Sequence, residues 1–409
     1  MTRVLVIEPY LTGSHRAWAE GYRAHSAHDV EVLGLPGRFW KWRMHGAAVT
    51  LGRQLRAGSR RPDVVLATDM LDLAAFLGLT RGVLDGVPAA VYFHEHQLAY
   101  PRPPADPAWS ASRRRRAARP DDAHYAFVNF TSALAADAIL WSSPYNRRSF
   151  LERLPGFLGA FPDHREAGAV GAVGARSEVL PLGIDLAGLG PPPASVEAWR
   201  ARRPPGPPRV VWNHRWEHDK GPERCFDALR ELADAGVAFE VIVLGESFVQ
   251  VPAVFEAARR HLGRRVLRFG YAESRSEYAR WLHLGDVVVS TARHEFFGAA
   301  VCEAVACGCW PLLPDDLAYP DLVPDAMRAE VLYGQHERLA DRLARLVARA
   351  AAAAGDAPPA PAPDPAAEWL AGLATLRHAV MAYDWSVMAP IYDARLAEIA
   401  RRGVRCDVL

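Results

Sequence analysis

Two series of short, continuously apolar segments, separated by a stretch that can hold neither a strand nor a long helix, constrain this chain most. Val4–Ile7, Val64–Ala67, Ala89–Phe93, Ala126–Asn129 and Ala138–Trp141 form the first series. Arg209–Trp212, Glu240–Leu244, Val266–Phe269, Val287–Ser290 and Trp310–Leu313 form the second. Segments that are apolar throughout, rather than alternating, are expected of parallel strands covered by helices on both faces. Between the series lies GPPPASVEAWRARRPPGPP, whose proline and glycine content marks a linker. The expected architecture is therefore α/β, with two doubly wound domains facing a central cleft. The first spans residues 1–186, the linker 187–208 and the second 209–375. Residues 376–409 are expected to return to the first domain, as the end of a helical tail over Glu368–Arg402. The Ala/Pro-rich residues 350–367 read as a surface excursion. Ligands of such sheets bind beyond the carboxyl ends of the strands, so the loops there should carry the chemistry.

A length of 409 residues suits two or three domains, and a formal net charge of +1 names no partner. Of the five cysteines, Cys302, Cys307 and Cys309 crowd into one apolar segment, while Cys225 and Cys406 stand apart, with no paired CxxC spacing. Reduced, buried thiols in a reducing compartment are expected. No apolar run has the length of a membrane span and no apolar leader follows Met1, so a cytoplasmic protein without membrane contact is expected.

Four strand-end segments carry the candidate chemistry. In EFFGAAVCE a loop bearing Glu295 leads through Phe297 and Gly298 into a helix. A helix N-terminus is a ready diphosphate site, and Gly298 allows close approach. Glu295 can accept hydrogen bonds from sugar hydroxyls, and Glu303, one to two turns in, can hold a ribose diol. In NHRWEHDKG, Arg215 and Lys220 can both reach phosphates, as a fork and as a point charge. With Glu217 and Asp219 they also suit a solvated charge cluster. In PYLTGSHR, Gly13 permits a tight turn near a diphosphate and Ser14 can cap the next helix. In YFHEHQ, His94 can line a sugar pocket; a structural histidine and a metal pair with His96 are the alternatives, the latter lacking a third ligand nearby. No metal site is expected.

EFFGxxxxE together with the Arg215/Lys220 pair resembles glycosyltransferase family 4, whose fold is GT-B, two Rossmann-like domains. More narrowly, IEPYLTGSH, LPGRFWKWRMHG, YFHEHQLAYP, FPDHR, VWNHRWEHDKGPE, VVVSTARHEFFGAAVCEAVACGCWPLLP and YDWS resemble the queuosine-tRNA mannosyltransferase group. The resemblance implies GDP-mannose as donor, queuosine of tRNA-Asp as acceptor and an α-linked product; no metal or other cofactor is expected. It implies that Arg215 and Lys220 clamp the diphosphate, Glu295 meets mannose hydroxyls, Phe297 and Gly298 offer amides, and Glu303 holds the ribose. The strand-end residues Gly245, Glu246, Phe269 and Tyr271 are where the guanine is expected. Ser14, His15, Glu95, Gln97 and His164 are expected on the acceptor side. The turns here read Thr12-Gly13-Ser14-His15 and His94-Glu95-His96-Gln97 where the family has GGSH and HENQ types, a departure that bears on acceptor selectivity.

For RNA, Arg38, Lys41 and Arg43 interleave with Trp40 and Trp42, a pattern that stacks bases and meets phosphates, or else packs on its own domain. Arg113, Arg114, Arg115 and Arg116 form a second basic run, equally suited to a solvated loop. The reading is a retaining, metal-independent mannosyltransferase acting on tRNA. A family 4 enzyme with a small-molecule, glycan or lipid acceptor is the alternative, as is a catalytically silent RNA-binding or nucleotide-sugar-sensing protein.

Overall fold

The computed structural model describes the chain except for residues 59, 100–119, 193–194, 196–197, 199–200, 202, 247–251, 356–363 and 405–409. Chain contacts divide it into two units: Met1–Ile184 with Tyr383–Leu409, and Asp185–Ala382.

The first unit is built on a parallel six-stranded sheet. Its strands are β1 (Arg3–Leu11), β2 (Asp29–Pro36), β3 (Val64–Thr68), β4 (Ala89–Phe93), β5 (Ala138–Trp141) and β6 (Ser177–Val179), in the order β2-β1-β3-β4-β5-β6. The central strands β3, β4 and β5 are buried along their whole length, which is why they read as unbroken apolar runs. Edge strand β2 (DVEVLGLP) is half exposed and alternates, so a search for unbroken runs passes over it. The segment Ala126–Asn129, expected as a strand, is instead the middle of a helix over Pro120–Ala135. Ala126, Asn129, Phe130 and Ala133 are buried at helical spacing, with Val128 and Ser132 buried beside them, while Phe127 is exposed. A four-residue apolar run does not distinguish the two elements.

Helices α1 (Gly13–His25) and α2 (Trp40–Gly58) follow β1 and β2. The expected single tail is two helices, Pro365–Met381 and Trp385–Arg402, separated by Ala382–Asp384. Asp384 caps the second, accepting from the Ser386 amide at 2.9 Å, and that cap is where the tail breaks. The second helix, α3 here, belongs to the first unit. Its Trp385 is wedged between Gly21 and Gly183, where an added Cβ would lie 2.2 and 2.5 Å from the indole. Tyr392 accepts from Trp18 Nε1 at 3.1 Å and meets the Tyr92 hydroxyl at 2.9 Å, and Asp393 accepts from Tyr22 at 2.8 Å.

The second unit carries β7 (Arg209–Trp212), β8 (Glu240–Leu244), β9 (Val266–Gly270), β10 (Val287–Val289), β11 (Trp310–Pro314) and β12 (Leu332–Tyr333). All pairs are parallel, in the order β12-β11-β10-β7-β8-β9. Of the Ala/Pro-rich residues 350–367, the first five close a helix over Leu339–Ala354 and Pro365 opens the next. Cys225, Cys302, Cys307 and Cys309 are free and buried. Among the described residues no helix is long and apolar enough to cross a membrane.

Candidate active site

In each unit the strand order reverses at one place, and several of the candidate residues lie in the loops there. In the second unit the chain runs β7 to β9 in one direction and then returns to place β10 on the other side of β7. Loops after β7 and β10 therefore leave the sheet side by side at a topological switch point, where open α/β sheets bind ligands.

Those two loops are stitched together. Gly221 has φ +59°, and a Cβ on it would lie 2.2 Å from the Thr291 carbonyl oxygen. Thr291 Oγ1 donates to the carbonyls of Lys220 (3.2 Å) and Gly221 (2.9 Å), and the Arg293 amide donates to the Asp219 carbonyl at 2.7 Å. Lys220 is thereby buried with its ammonium donating to His294 O (3.0 Å) and Glu295 Oε2 (3.2 Å) and paired with Asp219 Oδ2 (3.3 Å). Burial disfavours the ammonium, yet Glu295 and Asp219 outweigh it and raise Lys220 above its ordinary pKa. Burial likewise pushes Glu295 up, and the Lys220 charge more than reverses this, holding it below the usual carboxylate range. Burial, then Lys220, lowers the neighbouring His214 to about 4, so it is neutral. Arg215 is half exposed and pairs with Glu217 at 3.3 Å.

Glu295 also shapes the following turn. Its Oε1 accepts from the amides of Phe297 (3.3 Å) and Gly298 (3.1 Å), so the two amides expected to face a diphosphate are engaged by this carboxylate. The Phe297 ring is buried. Gly298 has φ +102° and caps the helix Ala299–Cys307. In that helix Glu303 accepts from Arg275 Nη1 (2.6 Å) and from the Tyr278 hydroxyl (2.8 Å). Sequence reasoning passed over Arg275 and Tyr278, whose segment reads as an ordinary helix start, capped by Ser274. A ribose on Glu303 has to share it with them.

Of the residues expected around the base, Gly245 has a packing reason: at φ +129°, a Cβ would sit 1.9 Å from the His214 carbonyl oxygen. The Glu246 carbonyl accepts from the Trp216 amide at 3.0 Å, and Phe269 packs edge-on against Trp216. Tyr271 is exposed.

The first unit reverses between β1 and β3. The pairing of β1 with β2 shifts register between Glu8 and Leu11. Gly13 follows at φ +50° with nothing near its absent Cβ, so conformation rather than space demands glycine. Ser14, expected to cap the helix, lies inside its first turn; the N-cap is Thr12, which makes no side-chain cap bond. Two residues into the helix that opens at Gly13, His15 has its Nδ1 3.0 Å from Oε2 of Glu8, which is fully buried. The Tyr10 amide donates to the other Glu8 oxygen at 2.8 Å. Burial disfavours a charged imidazole, but Glu8 overcomes it and His15 is raised to about 9.

His94, after β4, stands 4.5 Å from the His15 ring and edge-on to Trp18. Burial, then the His15 charge, holds it well below its ordinary value, hence neutral. Its amide donates to Asp69 Oδ1 at 2.8 Å. Among the described residues Glu8, His15 and His94 offer ligand atoms within 4.8 Å of one another, a grouping that could hold a metal ion and in which His96, the expected partner of His94, takes no part. Glu8 and Asp69 went unread because a single acid in a strand, or in the turn just after one, gives no local signal. His96 is fully buried with Nε2 3.2 Å from Ser149 Oγ, a structural histidine rather than a partner of His94. Gln97 donates from its amide to Asn129 (2.8 Å) and from its side chain to Glu95 (3.1 Å). His164 sits at φ +42° in an exposed turn beside Asp163. Arg38 and Lys41 are exposed at the start of α2, and Trp40 is packed inward. Arg113, Arg114, Arg115 and Arg116 lie outside the described residues.

Residues 3–184 match the family model described as tRNA-queuosine alpha-mannosyltransferase N-terminal, and residues 196–353 match that for glycosyl transferases group 1. A tRNA-queuosine alpha-mannosyltransferase of Drosophila melanogaster is 35% identical over 348 residues, covering 83% of this chain and 85% of its own. The chain belongs to the tRNA-queuosine alpha-mannosyltransferase family. It is a glycosyltransferase. A GDP-mannose-dependent alpha-(1-6)-phosphatidylinositol dimannoside mannosyltransferase of Mycobacterium tuberculosis is 31% identical over 137 residues, a third of this chain and 35% of its own. Among solved structures, sucrose-phosphate synthase of Thermosynechococcus elongatus has a TM-score of 0.68 at 15% identity, covering 98% of this chain and all of its own. The trehalose-6-phosphate synthase OtsA has a TM-score of 0.65 at 13% identity, covering 97% and 99%. These likenesses, with the two parallel sheets, establish the GT-B fold.

Proposed function

We propose that this tRNA-queuosine alpha-mannosyltransferase family member moves mannose from GDP-mannose to the queuosine base of tRNA-Asp, in the cytoplasm, with retention of configuration and without a metal ion. The observation that carries this reading is the match, along 83% of the chain, to a relative named as a tRNA-queuosine alpha-mannosyltransferase. The mycobacterial relative, which uses GDP-mannose, supports the donor. Four buried free thiols support a reducing compartment.

The chemistry follows from the second unit. As the phosphate–sugar bond loosens, charge builds on the leaving diphosphate. Lys220, Arg215 and the first-turn amides of the helix opening at Ala299 stabilise it electrostatically, which is the largest contribution such sites make. Glu295 orients the mannose hydroxyls. An oxygen of the departing phosphate takes the acceptor hydroxyl's proton on the same face, so configuration is kept. Glu303 holds the ribose, and Gly245, Glu246, Phe269 and Tyr271 surround the base. Ser14, His15, Glu95, Gln97, His164 and the basic residues of the first unit serve the acceptor.

The test incubates the protein with queuosine-containing tRNA-Asp and either GDP-mannose or UDP-sugars, with and without a chelator. Nucleosides are then digested and weighed. A hexose added only from GDP-mannose, undiminished by chelation, is the expected result. Transfer from a UDP-sugar, or transfer restored only by magnesium or manganese, overturns the donor or the metal-free mechanism respectively.

A further inference from the structure

The start of α2 displays rings and charge that the fold itself does not use. From Val32 to Pro62 the chain carries seven basic residues and no Asp or Glu. Within this stretch Phe39 is 74% exposed and Trp42 63% exposed. Trp40, between them in sequence, instead packs against Met44, Met70 and Val128 with Tyr10 and Tyr125, and anchors the turn.

Phe39 is held where a bulky side chain seldom goes. Its φ is +57°, a left-handed conformation that costs of order 1–3 kcal/mol away from glycine. The turn around it is locked by Arg43, whose amide donates to Phe39 O at 3.0 Å and whose Nε and Nη2 donate to Pro36 O at 3.2 and 3.1 Å. The strain therefore holds an apolar ring out in solvent. Trp42 is arranged differently to the same end. Its indole lies over Gly46, where a Cβ would stand 3.1 Å from the ring, so the helix backs one side of it while the rest stays open.

We propose that Phe39 and Trp42 form a stacking platform for unpaired bases of the RNA acceptor, with Arg38 and Lys41 meeting the flanking phosphates. This rests on the acceptor reading given above. An acid-free basic stretch matches a polyanion, and exposed aromatic faces stack any base. A membrane surface fits less well, because Met44, Ala47, Ala48, Leu51 and Leu55 on the opposite face of α2 are buried in the domain and the helix has no broad apolar face to offer a bilayer.

The test compares the full-length protein with Phe39→Gly, Trp42→Ala and the double variant. Each is titrated with a queuosine-containing anticodon stem-loop, a fully paired hairpin of equal length and phosphatidylserine vesicles. Each single change should weaken stem-loop binding about tenfold, in line with the stacking range, and leave the hairpin unchanged. Phe39→Gly should at the same time melt no lower than the wild type, since it relieves the backbone, a result that a structural role for the ring would not give. If the wild type binds the stem-loop and the double variant binds it equally, the platform is overturned while the acceptor reading stands. If the wild type transfers nothing to queuosine-tRNA yet binds single-stranded RNA through these rings, the acceptor reading falls and the platform stands. Loss of vesicle binding alone in the variants overturns the platform in favour of a membrane.

Discussion

Lys220 shows how one side chain joins stability to chemistry. It is buried among Glu295, Asp219 and the His294 carbonyl. Removing it as Lys220→Ala leaves two buried carboxylates without a cation, a change that typically destabilises by about 3–5 kcal/mol. Transfer should fall at least about a hundredfold, as for loss of one charge-stabilising group. The stability loss should shrink on acidification, because the unpaired carboxylates then protonate; urea melts across pH 5 to 8 alongside single-turnover transfer rates check both parts. An equal loss at every pH would mean that the ammonium is not what keeps Glu295 ionised. His15 has the opposite linkage. Its folded pKa, about 9, lies above the unfolded 6.5, so its contribution is fully present below pH 6.5 and is lost as pH rises through about 9. The amount is of order 3 kcal/mol for a shift of this size. Glu8→Gln should flatten the loss, and an NMR titration of His15 with a midpoint near 7 would remove the pair from the account.

At the scale of elements, glycines fix which loops meet. Gly221 and Gly245 both combine a positive φ with a backbone carbonyl at about the place of the missing Cβ. Gly245→Ala should therefore push the loop after β8 off the loop after β7, raising the KM for the donor several-fold, and should destabilise by more than the ~1 kcal/mol of a conformational change alone. An alanine variant with wild-type KM and melting would show that the loops do not depend on this contact. These close approaches were not legible beforehand, because sequence indicates where a glycine is, not what lies opposite it. The Lys220–Glu295 pair was legible only as two separate motifs, each at a strand end. Ala126–Asn129 failed for the converse reason: local apolarity was right, but the period that decides helix against strand needs a longer window than four residues.

For the molecule as a whole, the last helix completes a unit begun more than 350 residues earlier. Trp385 between Gly21 and Gly183, and Tyr392 on Trp18 and Tyr92, put large rings of the first unit's core under the control of the C-terminus. Ending the chain at Ala382 should lower the melting transition of the first unit sharply and leave that of the second nearly unchanged, since the second spans Asp185–Ala382. Calorimetry that found both transitions intact would refute the docking of this helix as a stabilising element.

The buried central strands, the two-part organisation and the identity of the charged motifs are properties of local pattern. Burial on both faces makes a parallel strand apolar throughout, and phosphate chemistry calls for basic groups and glycine at strand ends, so these can be read along the chain. The pairing of Glu8 with His15, the packing of His94 on that imidazole, the engagement of Glu295 with both Lys220 and the next turn, and the break in the tail at Asp384 depend on which loops the sheets bring side by side. That is set by strand crossovers between segments distant in sequence, and only the folded chain fixes it.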